Sequence, residues 1–257
     1  MCLIQIGGLG VITVVSILAM MFQRKMGLSD RLLLQDSFNL NTLSGLSQFV
    51  KKVVLGTFLV EGIGALLYMT VFVPEFGLKG IWISVFTAIS AFCNAGIDII
   101  APDSLAGYVH NPLINLTTCL LIFFSGIGYI VWWDVIRVLK LRKKRKIKVL
   151  KALTLHSKIA LASTLILIFG GALCIFLFEY NNPLTMRDFT LYQKIQASFF
   201  QSVTTRTAGF FTIPQENLSN GSTLVSLLLM FIGGSPVGTA GGIKTVTFIV
   251  LIASAIS

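Results

Sequence analysis

Hydrophobic positions along this chain fall into long uninterrupted runs. Five runs are long enough, at roughly 20 residues per crossing, to span a bilayer as helices; they cover residues 3–22, 53–73, 113–133, 159–178 and 223–256. Two shorter apolar stretches, residues 81–93 and 191–205, precede the third and fifth runs. Each is too short to cross, so each is expected to enter the membrane and return. The pattern predicts an all-α membrane protein with five crossings and two re-entrant loops.

Both short stretches end in a similar small-residue loop. These are the first glycine loop, Asn94-Ala95-Gly96-Ile97, and the second glycine loop, Thr207-Ala208-Gly209-Phe210. Glycine reaches positive φ without steric cost, which lets successive carbonyls turn toward one axis and replace the water around a cation. We therefore predict that both loops form strands of an ion selectivity filter. Two glycine-capped surface helices are the alternative interpretation.

A longer repeat contains these loops. Residues 4–11, 123–130 and 231–238 read IQIGGLGV, FFSGIGYI and FIGGSPVG, and each opens or interrupts a predicted crossing. The repeating unit is helix, re-entrant loop, helix, and units that begin and end on the same side can surround a pore axis along the membrane normal. The chain divides accordingly into the last helix of a first repeat (1–26), a cytoplasmic linker (27–50), a second repeat (51–136), a basic cytoplasmic linker (137–157) and a third repeat (158–257).

The glycine tract, residues 233–242, interrupts the last apolar run with the sequence GGSPVGTAGG. Broken backbone at membrane depth is tolerated only where protein or a water-filled cavity satisfies it, so the tract is expected to line the pore. The candidate residues are Gly233, Gly234, Ser235, Pro236, Gly238, Thr239, Gly241 and Gly242. A simple proline kink is the alternative, although it would not need so many glycines.

Composition and charge agree with a membrane protein. Hydrophobic residues make up 55% of the chain and charged residues 12%, with a formal net charge of +10. Basic residues concentrate in the two linkers, so the positive-inside rule makes both linkers cytoplasmic and turns the glycine loops outward. The basic run is therefore interpreted first as a topology signal, with nucleic-acid or lipid binding as the alternatives.

Isolated polar residues at membrane depth are few. Glu61 lies in the middle of the second run and Arg206 directly precedes the second glycine loop. Bracing the neighbouring pore loops is the favoured role for both; a proton relay for Glu61 and an ion-repelling gate for Arg206 are the alternatives. Asp98 could raise the cation concentration at the outer mouth, and an ordinary solvated acid of the loop is the alternative. The sequence has no spacing typical of a metal, nucleophile or acid–base site, so an enzyme is not expected.

The strings QIGGLG, LVEGIGALLY, SAFCNAGID, TTRTAGF and GGSPVGTAGGIKT resemble the membrane subunit of the Ktr/Trk/HKT potassium transporter superfamily, in particular the bacterial Ktr type. The resemblance implies four non-identical units around one pore. By this match the chain holds the second and third units and the tail of the first, so it is expected to be truncated at both ends. The tract would then be a gate below the filter. The potassium ligands would come from Asn94, Ala95, Gly96, Thr207, Ala208 and Gly209.

The same resemblance implies potassium uptake across the bacterial plasma membrane, passive or sodium-stimulated, with potassium as substrate and no covalently bound cofactor. It also implies a homodimer embedded in membrane lipid, a cytosolic nucleotide-binding regulatory subunit and no nucleic-acid partner. A secondary transporter of another small solute and a sodium-permeable cation transporter remain alternatives. Parallel repeats disfavour the first, since such transporters often use inverted ones. A membrane-embedded enzyme would need reactive side chains within the membrane-spanning runs, and Glu61 is the one such candidate that the sequence shows.

Overall fold

The computed structural model describes residues 1–10, 46–100, 103–145 and 149–256, and helices without strands make up its regular structure there. In chain order the helices are α1 (Cys2–Leu9), α2 (Leu46–Phe76), α3 (Leu78–Phe92), α4 (Pro112–Ile127), α5 (Tyr129–Arg145), α6 (Val149–Ala152), α7 (Leu155–Glu179), α8 (Leu191–Thr204), α9 (Asn220–Phe231) and α10 (Thr245–Ile256). Short 3₁₀ turns cover Ala106–Tyr108 and Gln215–Asn217. The all-α prediction is confirmed for the described residues.

Two helices are long and apolar enough to cross a membrane by themselves, over Val50–Phe76 and Leu155–Glu179. They correspond to the predicted runs 53–73 and 159–178. Large apolar side chains remain exposed along both, among them Phe58 and Ile63 on α2 and Ile166 and Phe169 on α7. Exposed apolar faces of this length suit contact with lipid. Residues 11–22 of the first predicted run lie outside the described residues.

The two short apolar stretches form helices α3 and α8, as predicted, and each ends directly before a glycine loop. A turn at Gly77, with φ +59°, folds α3 back along the end of α2. The helices approach so closely there that a Cβ on Gly80 would lie 2.7 Å from the Val73 nitrogen. On α8, Thr190 and Gln193 form a reciprocal capping box that fixes where the helix begins.

The third predicted crossing, residues 113–133, is not one continuous helix. It breaks at Gly128, and α5 leaves α4 at an angle of 94°. Gly128 has φ 90° and ψ 144°, a conformation that glycine adopts most easily, and Gly10 at the end of α1 has nearly the same values, 82° and 139°. The shared Gly-x-Gly sequence therefore ends a helix with nearly the same glycine conformation at both places.

The fifth predicted run is also divided, as the sequence indicated. Helix α9 ends at Phe231 and α10 begins at Thr245, with the glycine tract between them. Of the five predicted crossings, the described residues thus contain two unbroken helices of full length, one bent pair and one pair of short apolar helices.

One hydrophobic core joins the segment 46–127 to the segment 155–210. It includes Tyr68, Phe92 and Ile114 from the first segment and Phe200 and Phe210 from the second. The Tyr68 hydroxyl lies 2.6 Å from the Thr118 Oγ1, which pairs α2 with α4 inside this core. Both α3 and α8 also pack against α4, so α4 and the shared core fix the position of the two glycine loops.

Candidate ion pathway

The two glycine loops meet at their glycines. Gly96 and Gly209 both have positive φ, 64° and 89°. A Cβ on Gly96 would lie 2.6 Å from the Ala208 carbonyl oxygen, and one on Gly209 would lie 3.1 Å from the Gly96 Cα. Two separate constraints, conformation and space, therefore require glycine at both positions.

The equivalence of the loops extends beyond the glycines. Asn94 and Thr207, which occupy matching positions 113 residues apart, also have positive φ, 51° and 71°. Such values are uncommon for residues with a Cβ and cost free energy unless the surroundings enforce them. Both loops therefore have the same backbone pattern. Every second residue has a positive φ, beginning at Asn94 in the first loop and at Thr207 in the second.

Hydroxyl groups on the half-helices hold the far end of each loop. The Ser90 Oγ donates to the Ile97 carbonyl at 2.5 Å, and the Thr204 Oγ1 donates to the Phe210 carbonyl at 2.6 Å. The carbonyls of Ile97 and Phe210 thus turn back toward their own half-helices. One lone pair of each of these two carbonyl oxygens therefore points away from any axis that the two loops share. The sequence alone did not indicate this orientation.

The other six carbonyls of the loops accept no hydrogen bond from any residue that the structure describes. They belong to Asn94, Ala95, Gly96, Thr207, Ala208 and Gly209. An open cleft of about 340 Å³ is lined by five of these six residues, all except Gly96, and also by Thr205, Gln215 and Met230. Unpaired carbonyl oxygens beside a cleft are a ready set of ligands for a bare cation. The half-helices α3 and α8 also direct their negative C-terminal ends at this region.

Glu61 lies behind the first glycine loop. Its side chain is 3% exposed, and the Gln5 Nε2 donates to its two oxygens at 3.0 and 3.1 Å. The Cys93 thiol, directly before Asn94, lies 3.9 Å from the Glu61 Oε1. The carboxylate thus connects α1, α2 and the first loop, which is the arrangement expected of a brace.

Arg206 occupies the position that matches Cys93, yet it makes a different contact. Its guanidinium is buried, and its Nη2 donates to the Gly233 carbonyl at 2.7 Å. Gly233 is the first residue of the glycine tract. Arg206 therefore ties the second glycine loop to the tract.

The glycine tract is bonded to both loops. The Thr239 Oγ1 donates to the Phe92 carbonyl at 2.9 Å and accepts from the Asn94 Nδ2 at 3.1 Å. The Gly241 N–H donates to the Thr207 Oγ1 at 2.8 Å. These contacts bring the tract against both loops. The bonding roles of Asn94 and Thr239 side chains were not visible in the sequence.

The tract also satisfies the broken backbone between α4 and α5. The Ser235 N–H donates to the Gly126 carbonyl at 2.8 Å, and the Tyr129 N–H donates to the Val237 carbonyl at 3.0 Å. A Cβ on Gly128 would clash with the Pro236 carbonyl. Two interrupted helices therefore complete each other's hydrogen bonds, as burial in a membrane requires.

Short internal bonds close the tract into a loop. The Gly233 N–H donates to the Ile243 carbonyl at 3.1 Å, and the Thr245 N–H donates to the Gly234 carbonyl at 3.0 Å. The Lys244 Nζ donates to the Ala240 carbonyl at 2.6 Å, which holds the end of the tract that leads into α10. The tract is consequently held by polar contacts, in line with its composition.

These observations define a helical membrane protein in which two backbone loops meet between the spans. Comparison with known proteins gives the family: the model of the TrkH family, described as cation transport protein, matches residues 1–257. The chain belongs to this family. It is a multi-pass protein of the bacterial plasma membrane.

Two relatives are similar to this chain along nearly its whole length. The Ktr system potassium uptake protein B of Bacillus subtilis is 40% identical over 100% of this chain and 56% of that protein. The potassium/sodium uptake protein NtpJ of Enterococcus hirae is 37% identical over 98% of the chain and 54% of that protein. The chain spans about half the length of the curated relatives it matches. All are named as transport proteins, in line with the expected non-enzymatic class.

A solved structure supports the fold. The crystal structure of the potassium transporter TrkH from Vibrio parahaemolyticus superposes with a TM-score of 0.67 at 16% sequence identity. The match covers 86% of this chain and 44% of the TrkH chain. The described helices and their order therefore form a TrkH-like fold.

Proposed function

We propose that this chain provides two strands of a backbone-carbonyl selectivity filter in a potassium-uptake pore. The observation that carries the proposal is the set of six loop carbonyls that accept no hydrogen bond from the described residues, five of them from residues that line a shared cleft. Potassium prefers oxygen ligands, and carbonyl dipoles hold it without the tight grip of fixed carboxylates, so that it can leave again. The names of the relatives from Bacillus subtilis and Enterococcus hirae support potassium as the substrate.

The glycine tract is proposed as the gate of this pore. Its support is its attachment to both glycine loops through Thr239 and Gly241. Five membrane crossings with two re-entrant loops, and the division at residues 26, 50, 136 and 157, complete the proposed organisation. Glu61 and Arg206 would serve as braces of the loops.

The transport mode and assembly belong to the same proposal. Potassium moves inward down its electrochemical gradient, passively or with stimulation by sodium, and no covalently bound cofactor takes part. The pore subunits form a homodimer on a cytosolic nucleotide-binding regulatory subunit, without a nucleic-acid or enzymatic role. Permeation of sodium is the second candidate, since the relative from Enterococcus hirae is named a potassium/sodium uptake protein.

Substitution of the two loop glycines tests the filter. In the full-length protein, Gly96→Ser and Gly209→Ser are each expected to lower potassium-over-sodium selectivity several-fold, because an added Cβ opposes positive φ and meets the other loop. Ion-flux assays in proteoliposomes measure the ratio. Gly107→Ser is the matched control, since no atom lies within 4 Å of its Cβ position. Unchanged selectivity in both loop variants would remove the filter assignment.

A further inference from the structure

The chain that leaves the second glycine loop is held on two sides. On one side, the Phe211 carbonyl accepts from the Leu105 N–H at 3.1 Å, and the Phe211 N–H donates to the Ser104 Oγ at 3.4 Å. On the other side, Gln215 reaches back to Gln201 on α8. The exit of the second loop therefore lies between its own half-helix and the connection that follows the first glycine loop.

Gln201 and Gln215 form a reciprocal amide pair. The Gln201 Nε2 donates to the Gln215 Oε1 at 2.7 Å, and the Gln215 Nε2 donates to the Gln201 Oε1 at 3.1 Å. The Gln215 Nε2 also donates to the Ile213 carbonyl at 2.8 Å. Gln201 is 0% exposed, and among the described residues its amide bonds to Gln215 alone. Loss of Gln215 would therefore leave a buried polar group unpaired, which costs free energy.

The amide pair lies beside the proposed ion path. Gln215 lines the same cleft as Gly209 and Phe210, whereas Gln201 is buried on α8. A neutral pair can fix the position of this wall without adding a charge that would hold a cation tightly. The matching position on α3, 113 residues before Gln201, is Ala88, whose methyl group forms no hydrogen bond. The pair is therefore specific to the second loop.

We propose that Gln201 and Gln215 are positioning residues for potassium selectivity, because their pair holds the wall of the cleft in place beside the carbonyls of the second glycine loop. This role rests on the proposed filter function, and it assigns part of the selectivity to two residues outside the filter. The number and spacing of carbonyl ligands set which cation a filter favours, and supporting contacts keep both fixed.

Leucine substitutions in the full-length protein test this role, since leucine is of similar size but forms no side-chain hydrogen bond. Gln201→Leu and Gln215→Leu are each expected to lower potassium-over-sodium selectivity about threefold or more, the effect of losing about one net hydrogen bond. The apparent KM for potassium should rise with little change in maximal rate, because ligand spacing changes and the gate does not. Ion flux in proteoliposomes measures both. Gln215 is exposed, so Gln215→Leu tests the role even if Gln201→Leu does not fold.

Gln196→Leu is the matched control on the same half-helix. The Gln196 Nε2 donates to the Val109 carbonyl at 3.0 Å, and Gln196 does not line the cleft. This variant should lower thermal stability and leave both selectivity and KM unchanged. The double variant of Gln201→Leu with Gln215→Leu should lose no more selectivity than Gln215→Leu, because the two amides act as one unit.

Three results would overturn the positioning role: unchanged selectivity in Gln215→Leu, an equal loss in Gln196→Leu, or losses that add in the double variant. The loop glycines, measured in the same assay, separate this role from the filter itself. If Gly209→Ser lowers selectivity and the glutamine variants do not, the filter assignment stands and the positioning role fails. If Gly96→Ser and Gly209→Ser both leave selectivity unchanged, the filter assignment fails and the positioning role fails with it.

Discussion

The two glycine loops share a backbone and differ in what supports it. The first loop is backed by side chains of two other helices, Gln5 and Glu61, through Cys93. The second loop is backed by Arg206, which bonds the glycine tract directly. The tract is bonded to both loops, at Asn94 and at Thr207, but the residue before the loop differs: Cys93 contacts a carboxylate held by another helix, whereas Arg206 bonds the tract itself. Movement of the tract is therefore expected to displace the second loop more than the first.

The largest expected effect follows removal of the middle of the tract. Deletion of Ser235 to Val237 in the full-length protein removes the bonds to Gly126 and Tyr129. Two to three lost hydrogen bonds, at about 0.5–1.5 kcal/mol each, should shift the closed–open balance by about tenfold or more toward the open state. Potassium flux should rise and depend less on the proposed cytosolic regulatory subunit. A flux that falls, or stays fully dependent, would make the tract a structural kink.

Paired glycine substitutions control for damage to folding. Gly233→Ala places a Cβ against the backbone of Gly241, whereas Gly241→Ala meets its nearest neighbours only at 3.7 Å. Gly233→Ala should therefore disturb the tract and lower thermal stability, and Gly241→Ala should preserve the melting temperature. Comparable stability of these two variants would contradict the packing described for the tract.

Substitutions of Arg206 and Glu61 are expected to lower the free energy of unfolding by different amounts. Arg206→Met removes a hydrogen bond from a buried charged group and leaves the Gly233 carbonyl unpaired, a loss of about 1.5–3 kcal/mol. Glu61→Gln retains an oxygen for Gln5 and should cost less, about 1 kcal/mol. Thermal unfolding in detergent measures which of the two substitutions lowers stability more. Regulator-dependent uptake should change in Arg206→Met alone; an equal change in both variants would mean that the two loops are coupled to the tract alike.

The smallest effect concerns the hydroxyls that hold the ends of the loops. Ser90→Ala and Thr204→Val should each cost about 0.5–1.5 kcal/mol and reduce potassium-over-sodium selectivity slightly, to a similar degree. Thr87→Val is the control in the same half-helix as Ser90, because the buried Thr87 hydroxyl has no partner among the described residues. If Thr87→Val changes selectivity as much, the half-helices respond to any repacking.

Much of the helical framework could be predicted from hydrophobic run lengths. The bilayer sets the length of a crossing, so runs such as 53–73 and 159–178 translate directly into helices. The glycine loops were predictable for a related reason, since positive φ next to another backbone leaves few alternatives to glycine. Their ion-binding role stays a prediction.

The break at Gly128 could not be predicted from hydropathy. The run 113–133 has no proline or charge to interrupt it, and the bend depends on carbonyl and N–H partners that the tract supplies from more than 100 residues away. The contacts of Asn94 and Thr239 depend on the same distant docking. The recurrence of Gly-x-Gly at Gly10 and Gly128 is the one local signal that could have revealed the break.

The docking of the tract into the α4–α5 break has a consequence for water. If the tract leaves, the Gly126 carbonyl and the Tyr129 N–H lose their partners at membrane depth, where lipid offers no replacement. Only water entering the pore can take over these bonds. If the tract is the gate, as proposed, its opening takes up water as well as moving backbone, and the free energy of opening includes the chemical potential of that water. The closed state is then expected to be favoured where water activity is low.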